Sequence, residues 1–408
     1  MLLKNGDLIA GNGEYLEHTD LRVEDGLITE CDQNLPTRSN ETQVDLTNHW
    51  VLPGLIDAHV HIVMSSEQDP YGILTKSLPA ITIDAVNNAR RLLHAGFTTV
   101  RDMGARGFID IAVRNAIAEG KIEGPRMKVS GECIIMTGGH GWFLGGRQAD
   151  GPSECRKAAR EQLFQGADLL KMMATGGGLT REGEPGASQL DEDELASIVH
   201  EAHKAGKKAA AHCHGLDGIK NAVRAGVDSV EHGTFADEEI LAEMKKQGTY
   251  LSICMRATSL QTDNDSLPAY MVDRANQILD FQLDNCRRAH EMGVKQVFST
   301  DAGTPGNCHG DNAKEFPFFI RCGFNEMEAI QLATSKAAEL LGIDDTVGTL
   351  EVGRFADILV TKHNPLEDIA VLAEHEKEIA LLLKEGRVVR SQVPGINAPD
   401  DEIGGAIR

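Results

Sequence analysis

Histidines, carboxylates and one lysine recur in this chain at spacings that suit a metal centre. Asp57-Ala-His59-Val-His61 carries two imidazoles two residues apart. On an extended strand residues i and i+2 share a face, so His59 and His61 stand side by side, as a metal requires. Further clusters follow at Lys171 after Asp168-Leu-Leu, at His212-Cys-His214, at Glu231-His232-Gly233 and at Ser299-Thr-Asp301. Taken singly, a histidine at a strand end is more often a hydrogen-bonded structural residue than a ligand. Taken together, clusters that each close a β-like run point to one shared metal site. Lys171 poses its own question. Between Leu169-Leu170 and Met172-Met173 it is expensive to bury as an ammonium beside metal cations. It reads as a partner for a buried carboxylate, as a Schiff-base nucleophile, or as a lysine that carbon dioxide has converted to an anionic carbamate, long enough to bridge two metals.

The elements that must hold these residues alternate regularly. Strand candidates begin near Leu55, Thr98, Met127, Leu169, Lys208, Ser229, Tyr250 and Gln296, with amphipathic helices between them. One helix opens at Asp191, an N-cap with Glu194 three residues on. It carries Leu195, Ile198, Val199 and Ala202 on one face and stops at Gly206. Val86, Ala89, Leu92 and Leu93 do the same before Gly96. Eight such units predict an α/β fold, a closed (β/α)8 barrel like that of triosephosphate isomerase, over residues 54–348. Catalytic side chains then belong at the C-terminal strand ends. Both chain ends read as short strands. Asn5-Gly6 is a turn signal between Leu2-Leu3 and Leu8-Ile9, and Asp25-Gly26 joins a hairpin. Residues 355–361 form a strand, and Glu385-Gly386 joins a second hairpin. Residues 1–53 and 349–408 are expected to build one small β-sandwich domain. The tail from Pro394, rich in Gly, Pro and Asp, reads as a mobile end.

Composition narrows the partners. The 408 residues are 41% hydrophobic and 25% charged, which permits a sizeable core. The net charge of -22 repels phosphate backbones and anionic bilayers, so neither nucleic acid nor membrane is an expected partner. No apolar run is long enough to span a bilayer, and the N-terminus lacks the apolar core of a signal peptide. Eight scattered cysteines without a CxxC pair suit reduced thiols and a cytoplasmic setting.

Val51-Leu-Pro-Gly-Leu-Ile-Asp-Ala-His-Val-His61 resembles the opening metal motif of the amidohydrolase superfamily. Ala95–Gly104 is similar to its second strand, and Lys171-Met-Met-Ala-Thr-Gly-Gly-Gly178 to its carbamylated-lysine strand. Ala211–Gly215, Val230–Gly233 and Ser299–Gly303 resemble strands five, six and eight, and Gly348–Val360 the return into the β-sandwich. The likeness runs over nearly the whole chain, in order. It is strongest to the binuclear branch of prolidases, Xaa-Arg/Lys carboxypeptidases, ochratoxin-type amidases and imidazolonepropionase-like proteins. The resemblance implies two divalent metal ions, expected to be zinc. It implies that His59, His61 and Asp301 hold the more buried ion and His212 and His232 the more exposed one. Carboxylated Lys171 and a hydroxide would bridge them. Asp301 would also move a proton from the hydroxide to the leaving amine. A small-molecule substrate with a C–N bond and a homo-oligomeric assembly are implied as well.

Substrate contacts are expected from His140 in Thr137-Gly-Gly-His-Gly141, which in the resembling branch approaches the scissile carbonyl oxygen, and from His214, which shares a face with His212. Gly177, within Gly176–Gly178, suggests close backbone approach to a ligand or a flexible lid. Asp57 reads as a carboxylate that orients a ligand, or as a turn-stabilising one. Many relatives carry a Tyr near the end of strand seven; here Arg256 aligns with it and is a candidate clamp for a substrate carboxylate. His309 reads first as part of the structure around Asp311, with substrate contact as its alternative. Two other enzyme readings compete: a mononuclear aminohydrolase acting on a nitrogen heterocycle, and a cyclic amidase such as an imidazolone hydrolase. Lys171 argues against both. Hydrolysis of a carbamate or ester is a further alternative. A scaffold without catalysis would have lost ligands, and here each expected ligand is present.

Overall fold

The computed structural model describes residues 1–181, 183–262 and 264–396. Residues from 397 onward, most of the tail expected to be mobile, lie outside the described residues. Seven strands run parallel around the centre: Leu55–Val60, Phe97–Asp102, Arg126–Val129, Leu169–Met173, Lys208–Cys213, Ser229–His232 and Tyr250–Ser252. The amide of Asp168 donates to Val129 O at 2.7 Å and joins the third strand to the fourth. The eighth position is irregular. Single bridges hold it, Leu251 to Gln296 on one side and Val60 to Ala302 on the other. Ala58 N to Phe298 O at 3.0 Å and Asp301 N to His59 O at 2.8 Å complete the closure. The result is the (β/α)8 barrel.

Local signals explain the surrounding helices. Helix Glu192–Lys204 opens on a reciprocal capping box between Asp191 and Glu194 and buries Leu195, Ile198, Val199 and Ala202 against the strands. Helix Leu78–His94 starts with Pro79 in its first turn, where a missing N–H costs nothing, and buries Ala89, Leu92 and Leu93. No described helix is long and apolar enough to cross a membrane.

The chain ends meet in one eight-stranded, mainly antiparallel sheet over its own core of Leu, Ile and Val. Both predicted hairpins form, Tyr15–Glu24 with Leu27–Asp32 and Ile379–Lys384 with Arg387–Ser391. Trp50–Pro53 pairs with Ile358–Thr361 and so ties the N-terminal part to the C-terminal part. Asn5-Gly6 is not a turn. Leu2–Ile9 is a single strand whose register slips around Gly6. Asn5 there takes φ 62°, with its amide donating to Asp20 Oδ1 at 2.8 Å. The same conformational freedom that makes Asn-Gly a turn signal lets it form a bulge.

The barrel interior contains a charged cluster. Arg101, reaching across from the second strand, donates to Ser229 Oγ at 3.0 Å and to Glu231 Oε1 at 2.9 Å. Neither Arg101 nor Glu231 is more than 4% exposed. Removing one partner of a buried pair strands the other charge. Arg101→Leu is therefore expected to destabilise the protein by about 3–5 kcal/mol. Urea unfolding measures this, and a loss under about 1 kcal/mol would place the pair among exposed ones.

Candidate active site

Strand ends bring His59, His61, Lys171, His212, His232 and Asp301 to one cavity, with His140 and His214 on its wall. His59 and His61 do share a face. His59 Nδ1 bonds Glu231 Oε2 at 2.8 Å, and His61 Nδ1 bonds Gly104 O at 3.1 Å. Each Nδ1 is thereby the protonated donor, and each Nε2 is left as a lone-pair donor to a metal. Both Nε2 atoms lie 3.4 Å from Asp301 Oδ1. Metal–ligand bonds of about 2.1 Å in a tetrahedron give ligand–ligand edges of about 3.4 Å, so each of these histidines stands at the spacing at which it and Asp301 would share one divalent ion.

A second cluster joins His212, His214 and His232, whose ligating nitrogens lie within 4.8 Å of one another. The ligating atoms of His59, His232 and Asp301 also lie within 4.8 Å of one another, so the two clusters share His232 and are contiguous. His214 Nδ1 bonds Thr234 Oγ1 at 2.8 Å, and its ring stacks on His232 at 4.9 Å. It is thus within ligating reach, closer to the ligand set than a substrate contact alone requires. Strand alternation would turn His232 away from the face that Glu231 uses. His232 instead adopts φ 68° and Asp301 φ 56°, left-handed conformations costly for non-glycine residues. This local strain aims both side chains into the cavity.

Burial lowers every one of these imidazoles. His61 and His214 fall to about 4 and His140 to about 3. His59, His212 and His232 fall as well, first through burial and then through nearby histidine and Lys171 charges. Neutral imidazole is the ligating form. Burial alone would raise Glu231, but Arg101 and the bond from His59 outweigh it and hold the carboxyl well below its usual range. Lys171 is 1% exposed, and its Nζ makes no hydrogen bond or ion pair among the described residues.

The remaining candidates divide. Asp57 accepts from His59 N at 3.0 Å, Thr300 Oγ1 at 2.6 Å and Asn312 Nδ2 at 2.7 Å. It ties the first strand to the eighth and touches ligand backbone rather than ligand rings. Burial raises its pKa to about 6 against these bonds. His140 holds Thr180 Oγ1 through Nδ1 at 2.7 Å, and its ring lies 4.4 Å from that of His212. Gly177 lies beneath that ring, and a Cβ there would come 2.4 Å from His140 Nε2. Its role is close approach to a histidine rather than to a ligand.

Arg256 does not serve as predicted. The seventh strand ends at Ser252, and Arg256 sits on helix Met255–Ser259. Its guanidinium bonds Asn307 Oδ1 and reaches Asp311 Oδ2 at 3.3 Å, outside the cavity lining. His309 donates through Nε2 to Met64 O at 3.0 Å and His61 O at 3.2 Å, a brace behind the first strand rather than a substrate contact. Sequence reasoning missed Glu231 as the orienter of His59. It also missed the cavity wall from helix Ala269–Met292, where Met271, Arg274, Ala275 and Ile278 follow helical spacing.

Comparison with known proteins places the chain in a family. The model of the "Amidohydrolase family" matches residues 50–389. Ochratoxinase of Aspergillus niger is 32% identical over 429 aligned positions, covering 96% of this chain and 86% of that protein. A crystal structure of a Xaa-Pro dipeptidase with bound methionine superposes with a TM-score of 0.89 at 33% identity, covering 96% and 99% of the two chains. A prolidase complexed with N-methylphosphonate-L-proline superposes with a TM-score of 0.89 at 28% identity, covering 96% and 99%. The chain belongs to the amidohydrolase family and is a hydrolase of amide-type C–N bonds.

Proposed function

We propose that this protein uses a binuclear zinc centre to hydrolyse a dipeptide or an N-acyl amino acid. Lys171 is the observation that carries the reading. It is a buried amine beside the His–Asp cluster that makes no hydrogen bond or ion pair among the described residues. As a carbamate it supplies the negative charge that two adjacent cations need. His59, His61 and Asp301 would hold one ion, His212 and His232 the other, and carboxylated Lys171 both. Bound zinc would acidify a water enough for attack near neutral pH and polarise the substrate carbonyl.

The chain's own groups do the rest. Asp301 Oδ1 lies between His59 and His61 and can take a proton from the attacking water. It then returns that proton to the amine nitrogen as the C–N bond breaks. His140, held by Thr180 at Nδ1, offers Nε2 to the carbonyl oxygen of the substrate. The relatives named for prolidase, Xaa-Pro dipeptidase and ochratoxinase activity support an amide substrate with an amino-acid portion.

Elemental analysis of protein purified with zinc and bicarbonate, alongside a library of dipeptides and N-acyl amino acids, tests the reading. Close to two metals per chain and cleavage of some members are expected. One metal and no cleavage would favour the cyclic-amide or deaminase alternatives. Asp301→Asn is expected to lower kcat by about 10²–10⁴-fold; near-normal turnover would remove Asp301 from proton transfer. Gly177→Ala should push the His140 ring aside and lower kcat by about 10²-fold with metal content retained. An unchanged kcat would mean that His140 does not act on the substrate.

A further inference from the structure

Helix Ala269–Met292 turns one face to the cavity, and Arg274 stands on it between Met271 and Ile278. Its side chain is 11% exposed, and it is the only guanidinium lining the cavity among the described residues. Nη1 donates to Thr180 O at 2.7 Å and to Gly178 O at 3.3 Å. Its carboxylate neighbour, Glu184, lies 3.8 Å away and is 83% exposed, too solvated to satisfy a buried cation. A guanidinium carries five N–H donors in a fork, and the carbonyls recorded here engage only Nη1. The guanidinium lies over the Tyr270 ring at 5.0 Å and, among the described residues, Nη2 faces only the exposed Glu184, so its fork keeps N–H donors for an anionic ligand in the cavity.

We propose that Arg274 is the anchor for a carboxylate carried by the substrate. This rests on the hydrolase reading above and deepens it. The neighbouring wall is apolar, formed by Phe143, Leu144, Leu179, Met271 and Ile278. A ligand that suits such a wall and one guanidinium is apolar with a single anionic end, such as an N-acylated or aminoacylated hydrophobic amino acid. Arg256, the other candidate, is already held by Asn307 and Asp311. The anchor is also linked to the chemistry. Thr180 accepts from Arg274 through its carbonyl and bonds His140 Nδ1 through its hydroxyl. One loop residue, Thr180, therefore links the anchor for the substrate carboxylate to the histidine at the scissile bond.

The test compares each acid with its neutral carboxamide. Zinc-loaded wild-type protein, Arg274→Met and Arg274→Lys are assayed on N-acetyl-L-phenylalanine against N-acetyl-L-phenylalaninamide, and on L-leucyl-L-phenylalanine against its amide. Binding of N-acetyl-L-phenylalanine is measured in parallel by calorimetry. Wild-type kcat/KM should favour the acids by about 10–100-fold, the range of a charge-assisted hydrogen bond. The ratio should collapse to near one in Arg274→Met and lie between in Arg274→Lys. Because the ratio is taken within each variant, a general loosening of the loop around Thr180 cancels. A wild-type ratio near one, or a ratio that survives Arg274→Met, overturns the anchor while leaving the hydrolase reading intact. If nothing is cleaved yet the acid binds and Arg274→Met weakens it about tenfold or more, the anchor stands and the hydrolase reading fails. Absence of both cleavage and Arg274-dependent binding overturns both.

Discussion

A buried amine among neutral imidazoles is the constraint around which this molecule is organised. Lys171 is 1% exposed, in the middle of the strand Leu169–Met173 between Leu and Met, and it makes no ion pair among the described residues. Under the proposed reading, a carbamate on Lys171 would turn the amine into an anion, and the site would then offer negative and lone-pair donors to two divalent cations. The depressed histidines and the Asp301 carboxylate would serve the same balance.

Holding such a site requires rigidity beneath it. The Arg101–Glu231–His59 chain fixes the ring of His59 from inside the barrel, and Asp57 fastens its backbone to Thr300, next to Asp301. His309 braces the carbonyl of His61 from behind. These bonds make up for local strain, since the left-handed backbones of His232 and Asp301 each cost about 1–3 kcal/mol. The eighth strand is irregular for the same reason. Its residues are arranged to deliver Asp301 to the ligand cluster and do not form a ladder.

Much of this was legible in the sequence because it follows from short-range periodicity. The His59–His61 pair, the strand starts and the capping box at Asp191 follow from rules that act within a few residues. What escaped depends on long-range placement. Glu231 alternates with His232, so a two-residue period sends them apart, and only the positive φ at His232 brings both inward. Arg256 aligned with a substrate-facing position in relatives, but the chain turns into a helix after Ser252 and carries it to Asn307. Asn5-Gly6 carried a turn signal that the sheet uses as a bulge. Arg274 interrupts an apolar helical stripe, a pattern visible in the sequence once Met271, Ala275 and Ile278 are aligned with it, but its meaning depends on which face meets the cavity.

The chemical state of Lys171 decides the central claim. Zinc-loaded protein prepared in carbon-13 bicarbonate can be examined by carbon-13 NMR beside the Lys171→Ala variant. The account predicts a carbamate carbonyl resonance in the wild-type holoprotein that is absent from the variant and lost when the metal is stripped. A wild-type holoprotein without that resonance, or a resonance that persists in Lys171→Ala, would contradict it.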